Sequence, residues 1–356
     1  MIFTRLTLRD FRNYTCVEFV LNAGVTYFVG ANAQGKTNLL EAVYLVGRGH
    51  SFRTGERADL IRHSAAQAKV GAESDRDGLR DWLAVELQLS ARTLLRNEKR
   101  VRGTDLAWPH VILFAPEETW LFKGPPAARR DYLDTLIEGM DPAFRALRRQ
   151  WQRVLLHRNR VLKQAVGMAA ASLQAQLAPW DVQLVELGIR VVAARREWVD
   201  RLRAWLPSVH RAFAPADGEI ALQYEPQVDQ ADDFFDQLRR RAEEERARGI
   251  TVVGPHRDDV RVLLAARDLQ HFGSQGQHRS VVLSLKLAEV HLSRECRGTA
   301  PILLLDDVGS ELDADRLAAL FAALRELETQ ILVTATHVDD PADARMMRVC
   351  GGAVFG

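Results

Sequence analysis

Eight consecutive residues near the start of the chain, Gly30, Ala31, Asn32, Ala33, Gln34, Gly35, Lys36 and Thr37, follow the spacing G-x-x-x-x-G-K-[ST]. That spacing serves polyphosphate binding. Gly30 and Gly35 let the backbone turn its N–H groups inward, Lys36 reaches the β and γ phosphates, and the Thr37 hydroxyl ligates Mg²⁺. The context agrees, because residues 25–29 read as a buried strand and residues 36–45 as a helix whose positive end faces the same anion. A second segment supplies carboxylates. Ile302, Leu303, Leu304 and Leu305 suit a strand buried in a parallel sheet, and they deliver Asp306 and Asp307 where it ends. This is a Walker B arrangement: Asp306 is expected to hold Mg²⁺, directly or through water, and Asp307 to orient the attacking water or accept its proton.

Ser274, Gln275, Gly276 and Gln277 stand about 30 residues before that strand and open a helical stretch over residues 277–294, with Val281, Leu285, Ala288 and Leu292 at helical spacing. Taken alone, Ser274 is an ordinary helix N-cap. In this order, before this Walker B, the segment marks a cassette-type ATPase in which Ser274 and the neighbouring glycine backbone donate hydrogen bonds to a γ-phosphate. One subunit cannot present both this loop and its own phosphate loop to a single nucleotide. The expected assembly is a two-fold homodimer with two ATP molecules between subunits, Ser274, Gly276 and Asp313 lying at the interface. Ser310, Glu311, Leu312 and Asp313 match the D-loop, and the strand over residues 330–336 ends at His337, where cassette proteins place a γ-phosphate sensor. Asp307 is one methylene shorter than the Glu usual at this place in ATP-binding-cassette proteins, so slow hydrolysis is expected.

These segments, with residues 272–280 and 305–313, resemble the RecF family of bacterial recombination mediators, related to Rad50 and SMC heads. Residues 8–14, 50–54, 114–117, 129–130, 158–159 and 254–259 extend the match over essentially the whole chain. The resemblance implies an α/β fold: an ABC-ATPase mixed-sheet lobe like a Rad50 or SMC head, with a phosphate loop and a short helical second lobe or arm. Only about 270 residues separate Lys36 from Asp306, too few for long coiled-coil arms. The head is assigned to residues 1–122 and 250–356 and the arm to 123–249. The resemblance further implies ATP and Mg²⁺ as cofactors, nucleotide contacts from Arg12 and Asn32, and recognition of gapped or single-strand/double-strand junction DNA. RecR and RecO would be partners in loading RecA. No Gln follows the strand over residues 111–114, where many cassette proteins have a metal-contacting glutamine; either Glu117 or Glu118 is the candidate substitute. Residues 254–259 match the family without an evident chemical role, and Asp258 and Asp259 point to opposite strand faces, which disfavours a joint metal site.

A net charge of +1 shows no global basic excess, so nucleic-acid contacts must come from local patches. The helix over residues 145–163 carries seven Arg or Lys and no acid. At ~100° per residue, Arg145, Arg149, Arg153, His157, Arg160 and Lys163 share one face, opposite Leu147, Trp151, Val154, Val161 and Leu162. Such a stripe tracks phosphates, or else forms a solvated face paired with acids of a neighbouring helix. Arg48 and Arg53, in the loop after the first helix, are a second DNA candidate.

Cys16, Cys296 and Cys350 form no C-x-x-C pair and suit a reducing cytosol. The N-terminus lacks the apolar core of a signal peptide, and no stretch approaches the ~18 apolar residues needed to cross a bilayer, so a cytoplasmic location is expected. Strands are predicted over residues 2–8, 16–20, 67–71, 82–89 and 92–101, the last turning at Asn97 and Glu98. Helices follow from about Pro125, one of them bracketed by Pro179 and Pro207, and strands resume at 219–223 and from Thr251. Two other readings compete: a transport ATPase subunit, which leaves the helical insertion unexplained, and a nuclease of the overcoming-lysogenization-defect type. About 20 residues after His337 leave the latter little room for a catalytic domain.

Overall fold

The computed structural model describes residues 1–102, 108–165, 167–311, 314–338 and 344–356. By their contacts these residues form two compact units, one of residues 1–119, 209–216 and 279–356, the other of 120–208 and 217–278. Residues 250–278, which the sequence reading assigns to the head, group with the second unit.

The first unit starts with β1 (Ile2–Phe11), β2 (Tyr14–Val20) and β3 (Val25–Val29), followed by helix α1 (Lys36–Arg48). Four strands succeed it: β4 (Gln67–Arg76), β5 (Leu79–Gln88), β6 (Arg92–Arg96) and β7 (Lys99–Val101). β6 and β7 turn at Asn97 and Glu98, both at positive φ (49° and 64°) as a tight hairpin requires. With β8 (Val111–Phe114) the chain reaches the second unit.

That unit is mainly helical: α2 (Pro126–Met140), α3 (Pro142–Lys163) and α4 (Ala170–Phe213) come first. Asp141 caps α3 by accepting from the Ala143 amide at 2.8 Å, and Pro142 stands at the first helical position, where its missing N–H costs nothing. Pro179 and Pro207 lie inside α4 instead of bracketing it. The buried stripe Leu177, Leu184, Val191, Trp198, Leu202 and Leu206 gains more from a continuous helix than the local proline penalty takes away. Next come β9 (Ile220–Glu225), α5 (Ala231–Arg240), α6 (Ala242–Arg248), β10 (Asp259–Leu264), β11 (Arg267–Asp268) and the short α7 (Leu269–Phe272). β11, β10 and β9 make a small antiparallel sheet. The strand expected from Thr251 starts only at Asp259, because Gly254 sits at φ 126° and Pro255 opens a 3₁₀ turn.

Helix α8 (Gln275–Arg297) leads back to the first unit, which closes with β12 (Ile302–Leu305), α9 (Val308–Glu311), α10 (Ala314–Glu326), β13 (Gln330–Ala335), β14 (Arg345–Cys350) and β15 (Ala353–Phe355). Two sheets result, one antiparallel in the order β2-β1-β4-β5-β6-β7, the other β15-β14-β3-β13-β12-β8 and parallel except for β15. α1 packs on strands of both and is apolar almost all round, with Leu39, Leu40, Val43, Leu45 and Val46 fully buried. The buried Gln330 amide ties the sheets together: it accepts from the Phe3 N–H at 2.8 Å and donates to the Phe3 carbonyl at 2.7 Å. Pairing of Val29 with Ala335, Val333 with Leu305, and Leu305 with Phe114 aligns the carboxyl ends of four parallel strands. In open α/β sheets that edge is where ligands bind. No helix among the described residues is long and apolar enough to cross a membrane.

Candidate functional site

The loop from Gly30 to Gly35 leaves β3 at that aligned edge and enters α1. Gly35 is left-handed at φ 107°, and a Cβ there would come within 2.5 Å of the Asn13 amide, so only glycine fits. At Gly30 an added Cβ would collide with the Val349 carbonyl. The Tyr14 hydroxyl donates to the Gly35 carbonyl at 3.0 Å and the Asn13 amide to the Gln34 carbonyl at 3.2 Å, while Gln34 accepts from the Gly351 N–H at 2.8 Å. Ala31, Asn32 and Ala33 are exposed. Lys36 is buried, and its ammonium donates to the carbonyls of Gly30 at 2.6 Å and Ala31 at 2.9 Å. Burial lowers its pKa, opposed by the charges of Asp307 and Asp306.

Asp306 is buried at the end of β12, and one of its oxygens accepts from two hydroxyls, Thr334 at 2.6 Å and Thr37 at 3.0 Å. Burial raises its pKa; the two hydroxyl bonds oppose the rise, and the charges of Glu117 and Asp307 add to it. Asp307 sits at φ 49°, its N–H donating to the Thr334 hydroxyl at 2.9 Å. Thr334 was not among the predicted residues. Its signal is a lone hydroxyl in the apolar run of β13, three positions before His337. Hydroxyl and carboxylate oxygens side by side suit a hard divalent cation that keeps most of its own water, and Thr37 with Asp306 meets that test. Of the two candidate substitutes for the missing glutamine, Glu118 is held by buried Lys286 at 2.7 Å, whereas Glu117 is exposed.

Arg12 is held in an ion pair. It makes a bidentate contact with the fully buried Glu41, both bonds 2.7 Å, and a third to the Asp59 carbonyl. Glu41, inside a helix that otherwise packs apolar side chains, is the sequence signal for that buried partner. Arg53 donates to Asn38 at 2.9 Å and stays exposed.

Ser274 and Gln277 form a reciprocal capping box at the start of α8: the Gln277 N–H donates to the Ser274 hydroxyl at 3.2 Å and the Ser274 N–H to the Gln277 side chain at 3.0 Å. Ser274 and Gln275 are exposed, and Gly276 lies between them and Gln277 at the positive end of a 23-residue helix. His337 is exposed just beyond β13. Leu312 and Asp313 lie outside the described residues.

In the second unit, α3 divides its cations between two uses. Arg158 is buried and paired with Asp181 and Glu245, Arg148 pairs with Asp131, Asp134 and Glu138, and Arg145 with Glu138. Arg149, Arg153, Arg160 and Lys163 are exposed and make no ion pair among the described residues. His157 lies at the same face, stacked on Trp180 with centroids 5.0 Å apart. The 254–259 segment is explained by buried charge. Arg195 joins Asp134 bidentately and Asp258 at 2.9 Å, while Arg129 holds Asp259 at 2.7 Å, so the two aspartates have separate arginine partners.

No family model matches the chain. It is similar to the DNA replication and repair protein RecF of Halalkalibacterium halodurans, 37% identical over 347 residues that cover 94% of this chain and 92% of the relative. The protein of the same name from Syntrophotalea carbinolica is 36% identical, covering 98% and 96%, and that from Geotalea daltonii 33%, covering 100% of both. Among solved structures, a recombination mediator protein RecF with ATP, of the RecFOR pathway, superposes with a TM-score of 0.88 at 26% identity over 99% of this chain and 96% of that one. An Smc head domain from Pyrococcus furiosus superposes at 0.57 and 16% identity over 99% and 95%, a likeness of fold alone.

Proposed function

This chain belongs to the RecF family of DNA replication and repair proteins, and on that footing we propose that it is an ATP-dependent DNA-binding protein of recombinational repair and replication-fork maintenance. ATP binding closes a homodimer on gapped or junction DNA, and slow hydrolysis releases it. One observation carries the reading: the Thr37 hydroxyl of the phosphate loop lies 3.0 Å from Asp306, a contact 269 residues apart in sequence that assembles the two halves of a nucleotide site. Backbone N–H groups of residues 31–36 and the Lys36 ammonium hold the triphosphate, Lys36 exchanging its carbonyl partners for phosphate oxygens. Thr37 and Asp306 would hold Mg²⁺, which when bound neutralises charge on the β and γ phosphates. Asp307, steered by its left-handed backbone and by Thr334, orients the attacking water, and its short side chain supports a low rate.

Ser274, Gln275 and Gly276 of a second copy complete the site. The capping box keeps that loop formed before the copies meet, so its N–H groups approach the γ-phosphate without an ordering cost. Asp313 and His337 are proposed at the same junction. The cation stripe of α3, Arg149, Arg153, Arg160 and Lys163 with Arg145 at its edge, is assigned to DNA phosphates, together with Arg53. Cooperation with RecR and RecO in loading RecA is part of the proposal and rests on family membership.

The test is sedimentation velocity and ATP turnover with single-stranded, duplex and gapped DNA. The expected result is a monomer without nucleotide, a dimer with ATP, and turnover raised by DNA. A species that stays monomeric while saturated with ATP would overturn the reading.

A further inference from the structure

A cavity of about 400 Å³ opens in the first unit between the loop after α1, the 3₁₀ turn Arg57–Asp59 and strands β5 and β6. None of the residues lining it belongs to the phosphate loop or to the Walker B segment. Leu45, Phe52, Leu60 and Leu87 give it an apolar wall, and Arg57 and Arg92 face it from the turn and from the start of β6. Phe52 is only partly buried, and Tyr44 fixes its ring edge-on at 5.3 Å and 80°. The Arg57 Nε–H donates to the Leu89 carbonyl at 3.0 Å; neither Arg57 nor Arg92 makes an ion pair among the described residues. No carboxylate lines the cavity. Arg53 and Ser51, which also line it, are already bound to Asn38 and Glu41.

Two guanidinium groups in one cavity repel unless an anion shares it. A partly open aromatic ring beside them suits a flat heterocycle. The volume falls within the few hundred Å³, about 300–1,000, typical of small-molecule sites. We propose that this cavity binds an unpaired nucleotide, its base against Phe52 and its phosphate between Arg57 and Arg92. A duplex keeps its bases stacked on one another, so the site selects a base that is free to insert, either in a free nucleotide or in a single strand. The proposal goes beyond the ATP-driven reading and does not depend on Lys36.

The experiment measures anisotropy of labelled oligo-dT and of a blunt duplex of equal length, with dTMP or inorganic phosphate as competitor, for the unaltered protein, R57A/R92A, F52L and Lys36→Ala. Arg57 and Arg92 are exposed, so R57A/R92A keeps its fold, and unchanged thermal unfolding verifies this. Removing two charge-assisted bonds is expected to weaken oligo-dT binding about tenfold or more, with duplex binding little changed. F52L keeps the wall apolar and loses the ring face, so it should weaken oligo-dT without altering inhibition by inorganic phosphate. Competition by dTMP identifies a free nucleotide as a sufficient ligand; oligo-dT binding that dTMP does not displace identifies the strand. Equal binding of both probes to the unaltered protein and R57A/R92A overturns the proposal. Oligo-dT capture that survives Lys36→Ala while ATP binding is lost separates this site from the phosphate loop.

Discussion

Lys36 donates both of its bonds to carbonyls of its own loop, at 2.6 and 2.9 Å, so its charge is already aimed at the space a polyphosphate takes. Replacing it by alanine removes the only ammonium there among the described residues and is expected to weaken ATP binding at least about a hundredfold, read by titration with a fluorescent nucleotide. Retained affinity would contradict its role. Asp307→Asn keeps size and shape and removes the negative charge proposed to orient water. Turnover should fall by about 10²–10⁴-fold with ATP affinity preserved, and the ATP-bound dimer should leave DNA more slowly than the unaltered protein; equal dissociation rates would take Asp307 out of the hydrolytic step. The phosphate loop and both aspartates were legible because their spacing is itself the chemistry. Thr334 and the Arg12–Glu41 pair were not, since both depend on which side chains three-dimensional packing brings within hydrogen-bond distance.

Helix α8 begins at a capping box and exposes Ser274, so a bulky cation there obstructs a neighbouring copy more than it disturbs the chain that carries it. Ser274→Arg should leave ATP affinity of the monomer unchanged and prevent ATP-dependent dimerisation; a variant that still sediments as a dimer would refute the trans-completed site. Along α3 the row of cations expected from helical spacing stays open except at Arg145, which pairs with Glu138, while two arginines off that row are taken inside. Arg148 and Arg158 are internal ion-pair partners, and Arg149, Arg153, Arg160 and Lys163 remain open. R149E/R153E should weaken DNA binding whatever the base sequence and lower the salt dependence by about 0.9 per lost phosphate contact. An unchanged slope would make the stripe a solvated face. Periodicity identified the cationic face of α3, whereas the acids that bind its other arginines, Asp134, Asp181 and Glu245, come from three other helices.

Over the molecule, buried titratable groups set the response to acid. Burial lowers the pKa of His256 from 6.5 to about 4, its Nε2–H bond to the Thr251 carbonyl opposing the shift. Between those values the unfolded chain carries a proton that the folded chain excludes, so stability falls as pH drops through the window and is constant above it. The loss is on the order of 3 kcal/mol for a shift of this size. His278, also lowered to about 4 by burial, adds in the same direction. By pH 5 roughly 2 kcal/mol of that loss from His256 is reached, so urea midpoints at pH 7.5 and pH 5 should differ, and His256→Gln should reduce the difference; equal midpoints would show that these imidazoles are solvated. In the Arg195 network the guanidinium remains charged throughout, while burial raises the pKa of its partner Asp258.

Local rules sufficed for whatever depends on neighbouring residues: the phosphate loop, the strand–carboxylate junction, the Asn97–Glu98 turn and the family itself, because spacing and backbone freedom are properties of short segments. Packing decided the rest. Two prolines remain inside α4 since burial of its stripe outweighs them, and residues 250–278 group with the helical unit. Arg12 faces Glu41, and Thr334 completes the Asp306 site. Each of these outcomes is a competition between distant side chains for burial and for hydrogen bonds, and no window of sequence contains both competitors.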